Sequence, residues 1–455
     1  MLELTPKKYK ERQALRINPA KTCQPVGAMY AALGIRQCMP HSHGSQGCCS
    51  YHRTFLTRHF KEPVIATTSS FTEGASVFGG GSNLKTAVKN IFEIYKPRVI
   101  AVHTTCLSET IGDDIPTIIG QLENVPEGKF VIHTNTPSYV GSHITGYSNM
   151  VKSMISYFSK NTGQPNGKIC VISGFVNPGD MKEIKRILKI MNIDFIMFPD
   201  TSGVLDSPMT GNFEMYPKGG TTVEEIQDAG NCSDVLGLGA AAASAGVRQL
   251  NKKCKVKEHI LELPIGIEAT DAFISKLSEI SGKDVPEEIE TERGQLVDIM
   301  IDAHPYYDKK TAAIYGDPDT VLGLAEFCFS LGMQPKYLIT GTPDPSFETK
   351  GKELFDKFGA KDGFVKHAAD LFELHQRLKN DKVDLLIGGT HGKQIARAEN
   401  IPFLRMGFPI LDRYVHPYMP MVGYRGAMRI LELMLNVLMD KREADTADED
   451  FELVM

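Results

Sequence analysis

Nine cysteines are spread along this chain of 455 residues, and three of them stand in surroundings that could do chemistry. Cys23 lies in Lys-Thr-Cys-Gln-Pro-Val-Gly, Cys48 follows His-Gly-Ser-Gln-Gly, and Cys106 lies in Thr-Thr-Cys-Leu-Ser-Glu. A fourth segment, Thr-Pro-Ser-Tyr-Val-Gly-Ser-His, carries Ser138. Glycine lets a backbone come close to a bulky ligand without a Cβ clash, and thiolate sulfur is a well-matched donor for iron in iron–sulfur clusters. Cys106 is expected just past the C-terminal end of a strand, where ligands gather in open α/β sheets. Three cysteines on separate loops cannot complete a four-cysteine site, so the set points to a cluster shared with a partner chain. Taken singly, a cysteine is more often a buried structural thiol. That reading is kept for Cys170, Cys232, Cys254 and Cys328, and Cys38 and Cys49 are left as non-ligands. No Cys-x-x-Cys pair or ferredoxin spacing reinforces the trio, and Ser138 by itself reads as a turn serine bonding its own backbone.

Elsewhere the chemistry is sparser. Asp298 and Asp302 are four apart on an expected helix and so share a face; by themselves they read as a solvated acidic surface. Gly388-Gly389-Thr390-His391-Gly392-Lys393-Gln394 lacks the spacing of a phosphate loop and the hydroxyl after the lysine, so nucleotide hydrolysis is expected of a partner. No Ser/His/Asp triad can be assigned. Phe78, in Ser-Val-Phe-Gly-Gly-Gly, is compatible with core packing or with a surface anchor.

The elements that must position these residues alternate β-rich apolar runs with helical patterns from about Val64 to Gly407. Asn83–Tyr95 carries Leu84, Val88, Ile91, Phe92 and Tyr95 on one helical face, with Ser82 as N-cap and a strand at Arg98–His103. A strand at Lys168–Ser173 precedes a helix capped by Asp180 and Glu183, and Asp194–Phe198 follows as a strand. Thr311–Gly316 reads as a strand ending in Asp317-Pro318, which suit the cap and first position of a helix closed near Gly332. Tyr337–Thr340, Val383–Gly388 and Phe403–Met406 continue the rhythm. The fold expected is α/β, three doubly wound Rossmann-like domains with mainly parallel sheets, at residues 1–165, 166–305 and 306–455. The last includes a C-terminal helix and an acidic tail from Asp440.

Net charge is −5, which argues against a general nucleic-acid or anionic-membrane binder. Residues 1–21 hold no apolar signal core and no run of 18 apolar residues occurs, so no membrane span and a cytoplasmic location are expected. In that compartment the nine cysteines should be thiols, not disulfides.

Taken together, the motifs resemble those of the beta chains of nitrogenase molybdenum-iron proteins. The resemblance rests on Cys23-Gln24-Pro25-Val26-Gly27-Ala28, His43-Gly44-Ser45-Gln46-Gly47-Cys48, Phe78-Gly79-Gly80, Thr104-Thr105-Cys106 with Ile111-Gly112-Asp113-Asp114, and Thr136-Pro137-Ser138 with Gly141-Ser142-His143. Gly316-Asp317-Pro318-Asp319 and Gly407-Phe408-Pro409 agree, the order and intervals match over nearly the whole chain, and the length is similar to the short clostridial form. Ser45 favours the molybdenum type over vanadium and iron-only relatives. The presence of Cys23, Cys48, Cys106 and Ser138 together separates the chain from the related cofactor-assembly scaffold and from light-independent protochlorophyllide reductase.

The resemblance implies that Cys23 and Cys106 each bind one iron of an 8Fe-7S cluster (the P-cluster) shared with the alpha chain. It further implies that Cys48 bridges the cluster's halves and that Ser138 is a redox-switched ligand, an alkoxide being the harder donor. Electrons would come from a homodimeric, ATP-dependent iron protein, itself reduced by ferredoxin or flavodoxin. They would pass to the iron-molybdenum cofactor, held in the alpha chain only, for reduction of dinitrogen to ammonia in an α2β2 tetramer. No residue of this chain is then catalytic in bond breaking. Asp298 and Asp302 would meet Glu62 and the carbonyl of Lys61 of the other beta chain around a calcium or iron ion, since all-oxygen ligation suits a hard cation. Phe78 would lie where the iron protein docks.

Overall fold

A computed structural model describes residues 4–9, 16–123, 125–212, 214–360 and 362–453. Every strand pairing among them is parallel, in three sheets. The first, ordered β2-β1-β3-β4, uses β1 (Cys38–His43), β2 (Thr67–Thr68), β3 (Val99–Thr104) and β4 (Phe130–Thr134). The second, ordered β6-β5-β7-β8, uses β5 (Ile169–Ile172), β6 (Phe195–Met197), β7 (Asp234–Leu238) and β8 (Lys257–Leu261). The third, ordered β11-β10-β9-β12-β13, uses β9 (Thr311–Gly316), β10 (Gln334–Thr340), β11 (Phe364–Lys366), β12 (Leu385–Gly388) and β13 (Phe403–Arg405). In each, the strand order reverses near the middle, the mark of a doubly wound sheet.

Around the first sheet run α1 (Gln24–Leu33), α2 (Gln46–Phe60), α3 (Glu73–Phe78), α4 (Gly81–Ile94), α5 (Cys106–Ile111), α6 (Ile115–Gly120) and α7 (His143–Phe158). The apolar stripe of α4, with Leu84, Val88, Ile91 and Phe92, packs on Met39, Ile100, Val102 and Val131 of the sheet. All six residues of β1 and of β3 are buried, as parallel strands covered on both faces require. Gly80 is the N-cap of α4, and Ser82 lies inside the helix.

With the second sheet come α8 (Pro178–Ile190), α9 (Val223–Asp228) and α10 (Ala240–Cys254). The cap of α8 is Asn177, whose side chain and that of Asp180 form the reciprocal capping box, with Pro178 in the first turn. Asp180 therefore serves at the third helical position and does not cap with Glu183; Glu183 instead holds Arg186.

The remaining helices are α11 (Gly266–Ser281), α12 (Glu287–Asp302), α13 (His304–Tyr307), α14 (Pro318–Ser330), α15 (Pro345–Lys357), α16 (Leu371–Asn380), α17 (Lys393–Glu399) and α18 (Gly423–Asp445). Asp317 occupies the N-cap of α14 with Pro318 after it. The acidic C-terminal stretch continues α18 as far as Asp445 before a short 3-10 turn, and Val454 and Met455 lie outside the described residues.

By compactness the chain forms two units. One comprises Thr22–Glu262 with Tyr414–Tyr418 and contains the first two sheets, joined by α7, which packs on both α1 and α10. The other comprises Met1–Lys21, Leu263–Arg413 and Met419–Met455. Helices α11 and α12 fall in it because both pack on α18, and α11 also on α14. The start of the chain joins it through Ile17, whose N–H donates to Asp370 at 2.7 Å, and Arg16, which donates to the Ala368 carbonyl at 2.7 Å. No helix of the described residues is long and apolar enough to cross a membrane.

Candidate functional site

The first sheet brings three of the chosen residues to one edge. Cys48 follows β1, Cys106 follows β3, and Ser138 follows β4, and these strands are adjacent in the order β1-β3-β4. All three residues thus lie beyond the C-terminal ends of neighbouring parallel strands, the usual ligand-binding edge. Cys106 opens α5, and Thr105 caps it through a reciprocal box with Ser108. The Cys106 and Cys48 segments are tied by the His43 carbonyl, which accepts from Thr105 N–H at 3.1 Å and from the Ser108 hydroxyl at 2.8 Å. Gly44 makes this approach possible. Its φ is +147°, and a Cβ there would fall 1.9 Å from Thr105 Oγ1.

Cys23 arrives from a different direction, as the N-cap residue of the wholly buried α1. Its neighbours pin it to the Ser138 segment. Gln24 Nε2 donates to the carbonyls of Pro137 at 3.1 Å and Val140 at 3.0 Å, and His143 N–H donates to the Thr22 carbonyl at 3.0 Å. Thr136 ties the same segment to β3, its Oγ1 donating to the Thr104 carbonyl at 2.7 Å. These ties make Cys23 and Ser138 neighbours, and Cys48 lies close enough to Cys106 and Cys23 to sense their charge. The four side chains expected as ligands are therefore gathered.

Burial sorts the cysteines in the same way. Cys23, Cys48 and Cys106 are half-buried, whereas Cys38, Cys49, Cys170, Cys232, Cys254 and Cys328 are buried; none is in a disulfide. Burial pushes the Cys23 thiol up, opposed by hydrogen bonds from Thr22 and Ser138. Burial also raises Cys48, and the neighbouring Cys106 and Cys23 raise it further. Cys23 and Cys48 therefore stay protonated at neutral pH unless a cation offsets the charge. Among the described residues, no three of the His, Cys, Asp and Glu side chains are grouped as a site for a metal ion.

Several neighbours were not legible as site residues. His52 stands one turn after Cys48 on α2 and contacts Cys23, Nε2 to Sγ 3.4 Å; the i,i+4 spacing was the available signal. Burial holds its imidazole down to about 4, so it is neutral. Tyr51, Tyr139 and Val140 beside the thiol segments are exposed, an apolar rim facing outward. Phe78 ends α3 and is 90% exposed with Val77 beside it, so it is not a packing residue.

The other expected ligands fall in different compact units. Asp298 and Asp302 are both exposed on α12, in one compact unit. Lys61 and Glu62 follow α2 in the other unit, where Lys61 lies over the Tyr414 ring and Glu62 accepts from the Tyr418 hydroxyl at 3.4 Å. In the Gly388–Gln394 turn two amides are already bonded elsewhere in the chain: Thr390 N–H donates to the Pro409 carbonyl at 2.8 Å and Gly392 N–H to the Tyr315 hydroxyl at 2.7 Å.

The family model described as nitrogenase component 1 type oxidoreductase matches residues 23–439. The nitrogenase molybdenum-iron protein beta chain of Clostridium pasteurianum is 61% identical over 100% of both chains. The chain belongs to the family of nitrogenase molybdenum-iron protein beta chains. Within this family, the beta chain of Azotobacter vinelandii is 38% identical over 97% of this chain and 88% of that one. A chain of the structure titled Nitrogenase Cp1 at pH 6.5 superposes with a TM-score of 0.99 over all of both chains at 61% identity. A chain of Nitrogenase Cp1 at pH 5 shares only the fold, with a TM-score of 0.73 at 18% identity over 96% of this chain and 92% of that one. Family membership makes this an oxidoreductase subunit of an alpha–beta nitrogenase complex that carries metal clusters.

Proposed function

We propose that Cys23, Cys48, Cys106 and Ser138 supply this chain's half of the ligands to an 8Fe-7S cluster shared with the alpha chain. The chain relays electrons from the iron protein toward the iron-molybdenum cofactor of the alpha chain. The observation that carries this reading is the sorting of cysteines: the three half-buried thiols are neighbours, with Ser138 beside Cys23, while the other six are buried. The donor set fits a cluster, because the raised Cys23 and Cys48 thiols need compensating cationic charge and the exposed apolar side chains of Tyr51, Tyr139 and Val140 suit coverage by another chain. When bound, such a cluster supplies one-electron chemistry. The chain's own part is to hold the thiols through α1, α2 and α5, to place Ser138 against Cys23, and to exclude water.

The assembly proposed is an α2β2 tetramer. Its two beta chains contribute Asp298 and Asp302 from one and Glu62 with the Lys61 carbonyl from the other to a calcium or iron ion, which fits an oxygen-only set left incomplete within each unit. Phe78 is proposed as an anchor for the homodimeric iron protein, since an aromatic so exposed is a common interface hot spot. Cytoplasmic location accords with nine unpaired thiols. The test is iron analysis of the oxygen-free complex with Cys23→Ala, Cys48→Ala and Cys106→Ala, against Cys170→Ala as control. Loss of cluster iron in the first three and its retention in the control is expected; retained iron in all four would refute the ligand assignment.

A further inference from the structure

Two of the motifs contain side chains without a role in the site above: the imidazole of His43, before Gly44, and the carboxylate of Asp113, in Ile-Gly-Asp-Asp. They are bonded to each other, His43 Nε2 to Asp113 Oδ2 at 3.0 Å, with side chains 0% and 6% exposed. Asp113 also accepts the Gly80 N–H through both oxygens, at 3.0 and 3.1 Å, and Gly80 stands two residues after Phe78. On the other side, the His43 carbonyl holds Thr105 and Ser108, which flank Cys106, and His43 leads through Gly44 and Ser45 into the helix carrying Cys48. The imidazole is fixed further by Ser69 Oγ at 2.8 Å from Nδ1 and by the Phe71 ring, edge-on at 4.9 Å.

A buried carboxylate is expensive unless its bonds are satisfied. Here it is satisfied by the backbone behind Phe78 and by the residue whose carbonyl anchors both thiol segments. We propose that Asp113 and His43 are positioning residues that couple the Gly79–Gly80 loop to the segments bearing Cys48 and Cys106, so that docking at Phe78 is felt at the thiols. The coupling rests on the docking reading of Phe78, but its structural half does not. Movement of Gly80 pulls on Asp113, Asp113 turns or shifts the imidazole, and the His43 backbone carries the shift to Thr105.

The experiment is amide hydrogen exchange on the oxygen-free alpha–beta complex, following Gly80 and Thr105 in wild type, Asp113→Ala and Asp113→Asn. Asp113→Ala should speed exchange about tenfold at both amides, as loss of a charge-assisted bond implies, without changing exchange in the core of β4. Asp113→Asn can still accept from Gly80 and donate to Nε2, so it should restore both rates. Iron protein added to wild type should slow both amides, and in Asp113→Ala should slow Gly80 alone. Acceleration of Gly80 with Thr105 unchanged would overturn the coupling, as would loss of protection throughout the sheet. Failure of the docking reading has a separate signature: iron protein would bind Phe78→Ala with wild-type affinity and slow neither amide.

Discussion

Adding one methyl group at Gly27 should separate Cys23 from Ser138. Helices α1 and α7 touch backbone to backbone there. An ideal Cβ on Gly27 would lie 1.7 Å from the His143 carbonyl oxygen and 2.8 Å from Tyr147 N, and one on Gly146 would lie 1.9 Å from the Gln24 carbonyl oxygen. Ordinary contact begins at 3.4 Å. The obstacles are backbone atoms inside helices, so no rotamer change relieves them, and the helices must part by roughly 1.5–2 Å. That displacement exceeds the roughly 0.5 Å within which a ligand set stays productive, and it breaks both Gln24 bonds to the Ser138 segment. Overpacking of about 1–3 kcal/mol and two lost hydrogen bonds of about 1 kcal/mol each give a destabilisation of about 3–5 kcal/mol. Gly294→Ala, on α12 with nothing within 4 Å of the added Cβ, should be neutral or stabilising by up to about 1 kcal/mol. Iron per complex and denaturant unfolding of both variants provide the assay. A Gly27→Ala complex with wild-type iron and wild-type stability would refute the reasoning.

Three further outcomes are expected. Ser138→Ala should leave the reduced cluster assembled but abolish a potential that falls by about 59 mV per pH unit in wild type, because oxidation favours the deprotonated oxygen; redox titration at several pH values checks it. Replacing Asp298 and Asp302 together by alanine should remove the beta–beta metal and weaken that contact while sparing cluster iron, measured by metal analysis and sedimentation. His41 is held neutral, its pKa lowered from 6.5 to about 3 by burial and by His43. Its contribution to stability is complete above pH 6.5, where both states are neutral, and declines as pH falls toward 3 because the unfolded chain takes up the proton first. The loss should be about 1.4 kcal/mol per pH unit in that window, and unfolding midpoints that stay flat from pH 7 to 4.5 would exclude it.

Much of this was legible because parallel sheets write themselves plainly: Thr311–Gly316 is the strand expected, and Leu84, Val88, Ile91 and Phe92 are the buried face of α4. A glycine-rich turn before Cys48 and the position of Cys106 after a strand were weak local signals, and it was the resemblance to nitrogenase beta chains that singled out Cys23, Cys48, Cys106 and Ser138 together. What local rules could not give was decided by tertiary contacts. Asn177-Pro178 carried the true start of α8, but the later Asp180 mimicked a cap. The packing of α11 and α12 on α18, far along the chain, has no local signal in residues 263–305. His41, His43 and His103 carry no local pattern because a strand buried on both faces shows no alternation; the contacts of His41 and His43 with Ser69 come from pairing β1 with β2, and that of His103 with Ser42 from pairing β1 with β3.

The central claim is tested most directly by locating iron in the oxygen-free complex through anomalous scattering at the iron edge. The account predicts clustered iron density within bonding distance of the Cys23, Cys48 and Cys106 sulfurs, with Ser138 Oγ joining the ligands only in oxidised crystals. Iron density placed away from these three sulfurs, or bonded to Cys38 or Cys49, would contradict it.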